Sequence, residues 1–341
     1  MRTRIATFVL ALLVIALPAW AGEIPDFSFV QISDIHVDIH RAGANGPVRG
    51  QDTIDWLCNE IGTPQHVTPL DLETPPPAFV LATGDLTEFG VFDQTWLKFE
   101  HAFGRLPCPL YVLPGNHDNT WHAMYDVMRK EHGGANYSFD RFGCHFVCIS
   151  SASPQEPVPT IDATTRAWLR ADLARVAAET PIFLALHHPL YSNEFANPAE
   201  YDTFLDLLRD HNIALMLYGH GHGVNERAME GIQGVMGGST FGPNAGYSVI
   251  SVIDGTLRVT YRYHLPSGQS PTAEKPEWKV LVEKKLSTSA PRRLFSLKVD
   301  EFDTAQAPKA INVELAFADS ATAENLKDVT FLLNGEPLSA K

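Results

Sequence analysis

Six short stretches of the chain are apolar at nearly every position: "FSFVQIS" (27–33), "AFVLAT" (78–83), "LYVLP" (110–114), "CHFVCIS" (144–150), "IFLAL" (182–186) and "IALMLY" (213–218). Continuous apolar runs of this length suit strands buried on both faces. Helical patterns lie between several of them. "VFDQTWLKFEHAF" (91–103) sets Val91, Phe92, Trp96, Phe99 and Phe103 near one face, and "TRAWLRADLARVAAE" (165–179) and "AEYDTFLDLLRDH" (199–211) look alike. Strands alternating with helices predict α/β layers with parallel pairing. After His222 the pattern changes. "GYSVISVIDGTLRVTYRYH" (246–264) predicts a hairpin turning at Asp254-Gly255. Residues 267–277 read as a linker. The runs "WKVLVEKK", "RLFSLKV", "AINVELAF" and "DVTFLLNG" then predict a small all-β region, residues 266–341. Its last turn signal, Asn334-Gly335, leaves six residues, so the final strand is very short or the sequence is a fragment.

The N-terminus departs from this pattern. Arg2 and Arg4 precede an apolar run from Ile5 to Leu17, Pro18 breaks it, and Ala19-Trp20-Ala21 follows. That is the layout of an export signal, residues 1–21, cut after Ala21. The alternative, an uncleaved anchor, needs about 20 apolar residues, more than the run supplies. The expected location is periplasmic or secreted.

Net charge is −14, and losing Arg2 and Arg4 makes it −16. Nucleic-acid affinity comes from Lys and Arg on phosphates, so this balance argues against a nucleic-acid partner. The four cysteines are Cys58, Cys108, Cys144 and Cys148. On one strand Cys144 and Cys148 would stand about 13 Å apart at ~3.3 Å per residue, too far to bridge each other. Cys148 is a buried free thiol or is bridged to another segment.

The residues that follow the strands carry the chemistry. Asp34, Ile35 and His36 follow the first, and Gly84 and Asp85 the second. Gly115, Asn116, His117 and Asp118 follow the third. His187 and His188 precede Pro189, and His220, Gly221 and His222 come last. Ligands of open α/β sheets gather at the carboxyl ends of strands, so these sets converge on one rim. His220 and His222, two apart in an extended segment, point the same way. A mixed nitrogen and oxygen donor set without thiolate suits Mn, Fe, Zn or Ni. The number of groups exceeds one tetrahedral site, which makes two divalent metal ions the economical reading.

These blocks, D-x-H, G-D, G-N-H-D, H-x-P and G-H-x-H in that order, resemble the signature of the calcineurin-like metallophosphoesterases over about residues 27–263. The resemblance implies a four-layer αββα sandwich in residues 22–265. It implies that Asp34, His36 and His222 hold one metal, that Asn116, His187 and His220 hold the other, and that Asp85 bridges them. His117 would act on the leaving group, with Asp118 orienting it. His188 would pack beside the site. A hydroxide bridging the metals would attack phosphorus in line, and the net positive charge of the centre would draw a small phosphate ester to an acidic body.

Departures narrow the resemblance. Glu88 stands where purple acid phosphatases have a ligand tyrosine, and "GDLTEFG" lacks the arginine of protein Ser/Thr phosphatases. The blocks look most like the class III cyclic-nucleotide phosphodiesterase branch. Without an arginine beside the motifs a phosphodiester is favoured over a doubly charged monoester. Arg41 and Arg49, in the glycine-rich loop after the first block, would reverse that preference if they reached the site. The alternatives are a phosphomonoesterase or nucleotidase of the same family, and a catalytically silent binding protein of that fold.

Overall fold

All six apolar runs are strands in the computed structural model of the chain. The structure describes residues 23–291 except 39–48, 91–92, 120–129, 131–133, 153–158, 190–194, 196–197, 230, 266–269 and 273–275. Beyond 291 it describes four short strands. The expected export signal and Arg41 lie outside the described residues.

In chain order the strands are β1 (Phe27–Ile32), β2 (Gln65–Val67), β3 (Leu72–Thr74), β4 (Val80–Thr83), β5 (Leu110–Leu113), β6 (Tyr137–Arg141) and β7 (Cys144–Cys148). There follow β8 (Ile182–Ala185), β9 (Ile213–Tyr218), β10 (Val224–Met229), β11 (Ile232–Gly237), β12 (Gly246–Ile253), β13 (Thr256–Tyr263) and β14 (Trp278–Lys285). The α-helices are α1 (Gln51–Glu60), α2 (Asp93–Phe103), α3 (Asn116–Asn119), α4 (Ala163–Leu173) and α5 (Pro198–Leu208). They flank two six-stranded sheets, ordered β14-β13-β12-β1-β4-β5 and β10-β11-β9-β8-β7-β6. β1, β4 and β5 run parallel, as do β7, β8 and β9.

The unbroken apolar runs have a direct cause. Along β8, Phe183 and Ala185 join one core while Ile182 and Leu184 join another. Successive residues of a strand face opposite sides, so a strand between two cores is apolar at every position. The first core lies between the sheets and under α1 and α2. Phe29 meets Phe146 and Phe183 there at 5.5 Å, edge to face. The second core packs Leu169 and Leu173 of α4 and Phe204, Leu205 and Leu208 of α5 on the far side of the other sheet. The result is the expected αββα layering.

Gln31 is the polar exception in β1. Its Nε2 donates to Thr83 Oγ1 of its own sheet at 3.2 Å and to the Tyr218 carbonyl of the facing sheet at 3.1 Å. The two sheets are thus hydrogen-bonded to each other beneath the strand ends.

The hairpin at Asp254-Gly255 forms as expected between β12 and β13. One expectation is corrected. "WKVLVEKK" does not belong to a separate C-terminal region: it is β14 and pairs antiparallel with β13, completing the first sheet. Farther on, Phe295–Val299 pairs with Val313–Phe317, and Leu332–Leu333 with the two-residue strand Glu336–Pro337. All four cysteines are free, and burial pushes the Cys144 and Cys148 thiols up to about 12. Among the described residues no helix is long and apolar enough to cross a membrane.

Candidate metal centre

The strand ends of both sheets do converge, and the backbone there is unusual. Eight non-glycine residues among those described have positive φ, and five of them are Asp34 (51°), His36 (50°), Asp85 (50°), His220 (70°) and His222 (52°). Each such residue costs roughly 1–3 kcal/mol and persists only where its surroundings hold it. The left-handed turn swings each side chain off the strand axis into the common space. Gly219 permits the closest approach. A Cβ there would stand 1.9 Å from Ser33 Oγ and 2.6 Å from Asp34 Oδ2. The amide that follows, of His220, donates to both Asp34 oxygens at 3.0 and 3.1 Å, tying the last block to the first.

Four sets of donor atoms each lie within 4.8 Å of one another: Asp34–His36–His222, Asp34–Asp85–His187, His187–His188–His220 and His36–Glu88–His117. Asn116 joins through Oδ1, 3.2 Å from His220 Nδ1. Every residue expected from the sequence to hold a metal is therefore in the cluster. Asp34, His36, Asp85 and His187 are buried, whereas the His222 side chain is 41% exposed and marks the open side.

The donor chemistry fits cations. His187 Nδ1–H donates to the Thr83 carbonyl at 2.8 Å, which leaves Nε2 as the lone-pair nitrogen of the neutral ring. That buried Nε2 has no hydrogen-bond partner, yet it faces Asp85 Oδ2 at 3.2 Å. Lone pairs so placed need positive charge between them. Where no ion supplies that charge a proton on Nε2 does: burial would lower the His187 pKa, but Asp85 outweighs it and raises the value to about 9. Burial would also raise Asp85, and His187, His36 and His117 outweigh it and hold that carboxyl well below the usual range. The same demand recurs where His36 Nε2 and His222 Nε2 meet at 3.2 Å. Metal cations in this cluster would satisfy these contacts.

Glu88, read from the sequence only as a missing tyrosine, has two attachments. Its Oε2 accepts from His36 Nδ1 at 2.9 Å, and its backbone carbonyl accepts from His117 Nδ1 at 3.1 Å. A carboxylate behind a metal-facing histidine fixes the ring and its tautomer. Asp118 requires a correction, for it does not orient the His117 ring. Its carboxylate, fully buried, accepts from Leu86 N, Thr87 N, Thr87 Oγ1 and Gly115 N at 2.8 to 3.1 Å. Burial and the Asp85 charge push its pKa up to about 6, while four donors call for the ionised acceptor. Asp118 therefore fastens the two loops after β4 and β5 together. His117 is half-buried, its ring 4.6 Å from that of His36, and its amide donates to Asp85 Oδ1 at 2.9 Å. His188 is fully buried beside His220, with Nδ1 2.9 Å from Ser151 Oγ and Nε2 unpartnered.

Residues 27–224 match the family model of the calcineurin-like phosphoesterases. A 3',5'-cyclic-nucleotide phosphodiesterase of Nostoc is 28% identical over 204 residues, 57% of this chain and 71% of that protein. A probable glycerophosphodiester phosphodiesterase of Arcobacter nitrofigilis is 27% identical over 165 residues, 47% of this chain and 56% of that protein. Two solved structures share the fold at 14% identity. The purple acid phosphatase PPD1 of yellow lupin gives a TM-score of 0.52 over 76% of this chain and 54% of its own. GAP50, the anchor in the inner membrane complex of Plasmodium, gives 0.51 over 77% and 89%. With its matched domain ending at the second histidine block, the chain belongs to the calcineurin-like phosphoesterases, metal-dependent hydrolases of phosphoric esters.

Proposed function

We propose that this chain is a dinuclear phosphodiesterase of the class III cyclic-nucleotide phosphodiesterase-like branch. The observation that carries the reading is the set of five donor residues held in left-handed backbone turns around one cluster. Asp34, His36 and His222 would hold one ion and Asn116, His187 and His220 a second, and Asp85 would serve both. Divalent ions supply an activated water and neutralise phosphoryl charge. The chain's own residues do the rest. Glu88 keeps Nε2 of His36 turned inward by holding Nδ1. His117 carries its proton on Nδ1 against the Glu88 carbonyl, which leaves Nε2 to meet the leaving oxygen, and in its protonated form it donates there. The names of the Nostoc and Arcobacter relatives, both phosphodiesterases, support a diester as substrate.

The test uses purified chain, bis(p-nitrophenyl) phosphate and elemental analysis. Activity is lost on chelation and returns with Mn, Fe, Zn or Ni. Asp85→Asn lowers both metal content and turnover, the latter by roughly 10²-fold or more. Full activity with at most one metal per chain would falsify the dinuclear reading.

A further inference from the structure

His188 has a buried nitrogen that packing does not account for. The residue is fully buried, and its Nε2 has no hydrogen-bond partner. A polar nitrogen left unpaired in the interior carries a desolvation cost that nothing offsets. The neighbouring His187 Nε2 is in the same condition, and there a cation is what the lone pair lacks. A ring nitrogen of His188 lies within 4.8 Å of donor nitrogens on His187 and His220, so these residues form a donor set of their own within the cluster. The His188 ring stands 4.9 Å from that of His187 and 4.6 Å from that of His220.

The ring is held from behind. Ser151, fully buried after β7, accepts through Oγ from His188 N at 3.1 Å, and the same oxygen lies 2.9 Å from His188 Nδ1. With the ring proton on Nδ1 and donated to that oxygen, Nε2 carries the lone pair. Ser151 is itself fixed, because its carbonyl accepts from Thr160 N at 3.1 Å. The carbonyl of Ala152, next along, accepts from Asn119 Nδ2 at 2.8 Å, which ties this segment to α3, the helix that carries Asn116. On the other side Gly219 N donates to the His187 carbonyl at 2.8 Å and sets the register between the two histidine blocks. A hydrogen bond behind an imidazole whose other nitrogen joins a donor set is the arrangement of a metal ligand.

We propose that His188 is a further protein ligand of the second ion, through Nε2, and that it biases that ion toward Zn, Fe or Ni over Mn. The inference rests on the two-ion reading of the cluster. His188 adds another imidazole to the set of His187, His220 and Asn116, whereas the set of His36 and His222 includes the carboxylate of Asp34. Imidazole nitrogen suits Zn, Fe and Ni, and oxygen donors suit Mn. The two ions are therefore held by different chemistry, rich in nitrogen beside His188 and richer in oxygen beside Asp34.

The experiment withdraws zinc or manganese from the metal-loaded chain with a graded chelator, in wild type, His188→Ala, His188→Gln and Ser151→Ala. In His188→Ala the zinc affinity of one ion falls roughly 10²-fold or more, at least the scale of losing an outer hydrogen bond to a ligand. Manganese affinity falls much less, because a water oxygen takes the place of the nitrogen. His188→Gln behaves as His188→Ala does, and Ser151→Ala falls between them and wild type. The visible absorption of the cobalt-loaded chain changes in both His188 variants. Unaltered zinc affinity together with an unaltered cobalt spectrum in both overturns the assignment. Should neither variant fold, nitrogen-15 NMR of the histidine-labelled wild type decides: zinc moves the His188 Nε2 signal into the range of a ligated nitrogen along with that of His187, and a His188 signal that stays out of that range overturns the assignment. A wild-type chain that binds at most one zinc overturns the two-ion reading instead, and the affinity of His188→Ala for that zinc still decides for or against His188.

Discussion

Glu88 is a single residue holding two histidines by two different atoms, its carboxylate on His36 and its carbonyl on His117. Glu88→Gln separates these attachments, because the backbone carbonyl remains while the charge behind His36 is lost. Metal affinity is expected to fall by roughly 10- to 100-fold. Metal titration of the variant checks this, and an unchanged affinity would show that Glu88 merely packs. The donors themselves were legible in the sequence because each sits in a short motif at a strand end. Glu88 was not, since its contact with His36 joins positions 52 apart in the chain. Asp118 shows the opposite hazard. It stands next to His117 in sequence, but a fully buried carboxylate takes the nearest donors, and those are the amides of Leu86, Thr87 and Gly115.

Among the elements, β7 carries a second charged group at the end opposite the metal cluster. His145, buried in β7, lies between Asp140 of β6 at 2.6 Å and Asp172 of α4 at 2.9 Å. Asp172 also accepts from Ser138 Oγ at 2.7 Å and pairs with Arg175 at 2.5 Å. Burial acts to lower the His145 pKa, but hydrogen bonds to Asp172 and Asp140 outweigh it and raise the value above 6.5. Burial acts to raise Asp172, and His145 and Ser138 outweigh it and lower the value. The His145 contribution is thus complete below the ordinary histidine pKa and is lost as pH climbs through the raised one. The Asp172 contribution is complete above the ordinary carboxylate pKa and is lost as pH drops through the lowered one. Melting temperature should peak in the mildly acidic range between. His145→Gln should flatten the alkaline limb, whose slope is at most about 1.4 kcal/mol per pH unit for one proton. An identical alkaline limb in wild type and variant would remove His145 as its cause. Six strands and three helices were readable from periodicity because their patterns are local. That α4 is clamped to β7 by charge was not, because Asp172 reads in sequence as an ordinary polar position on a helix.

For the molecule as a whole, location decides which esters are within reach. We propose export on the strength of Arg2, Arg4, the apolar run and Ala19-Trp20-Ala21. The mature chain is expected to begin at Gly22, carry −16 and act on extracytoplasmic phosphate esters, with cyclic-nucleotide hydrolysis a side activity. Cell fractionation with N-terminal sequencing is the check. A soluble cytoplasmic protein with Met1 intact would return intracellular signalling to the front. At this scale the sequence misplaced one boundary. Only Trp278 and Val282 of β14 are buried, a pattern that serves equally for the last strand of one sheet or the first of another. Only its register against β13, Thr256 opposite Lys285 through Arg262 opposite Trp278, tells which.

That register governs how the chain can be dissected. A cut in the linker before Trp278 looks like a clean division, yet it strips β13 of the partner that saturates its outer backbone groups. The bared ladder runs along most of an eight-residue strand and would invite pairing with another molecule's strand. Trimming the C-terminal strands for crystallisation or assay is therefore safe only beyond Leu286, whose amide donates to the Gly255 carbonyl at 2.9 Å and closes the sheet.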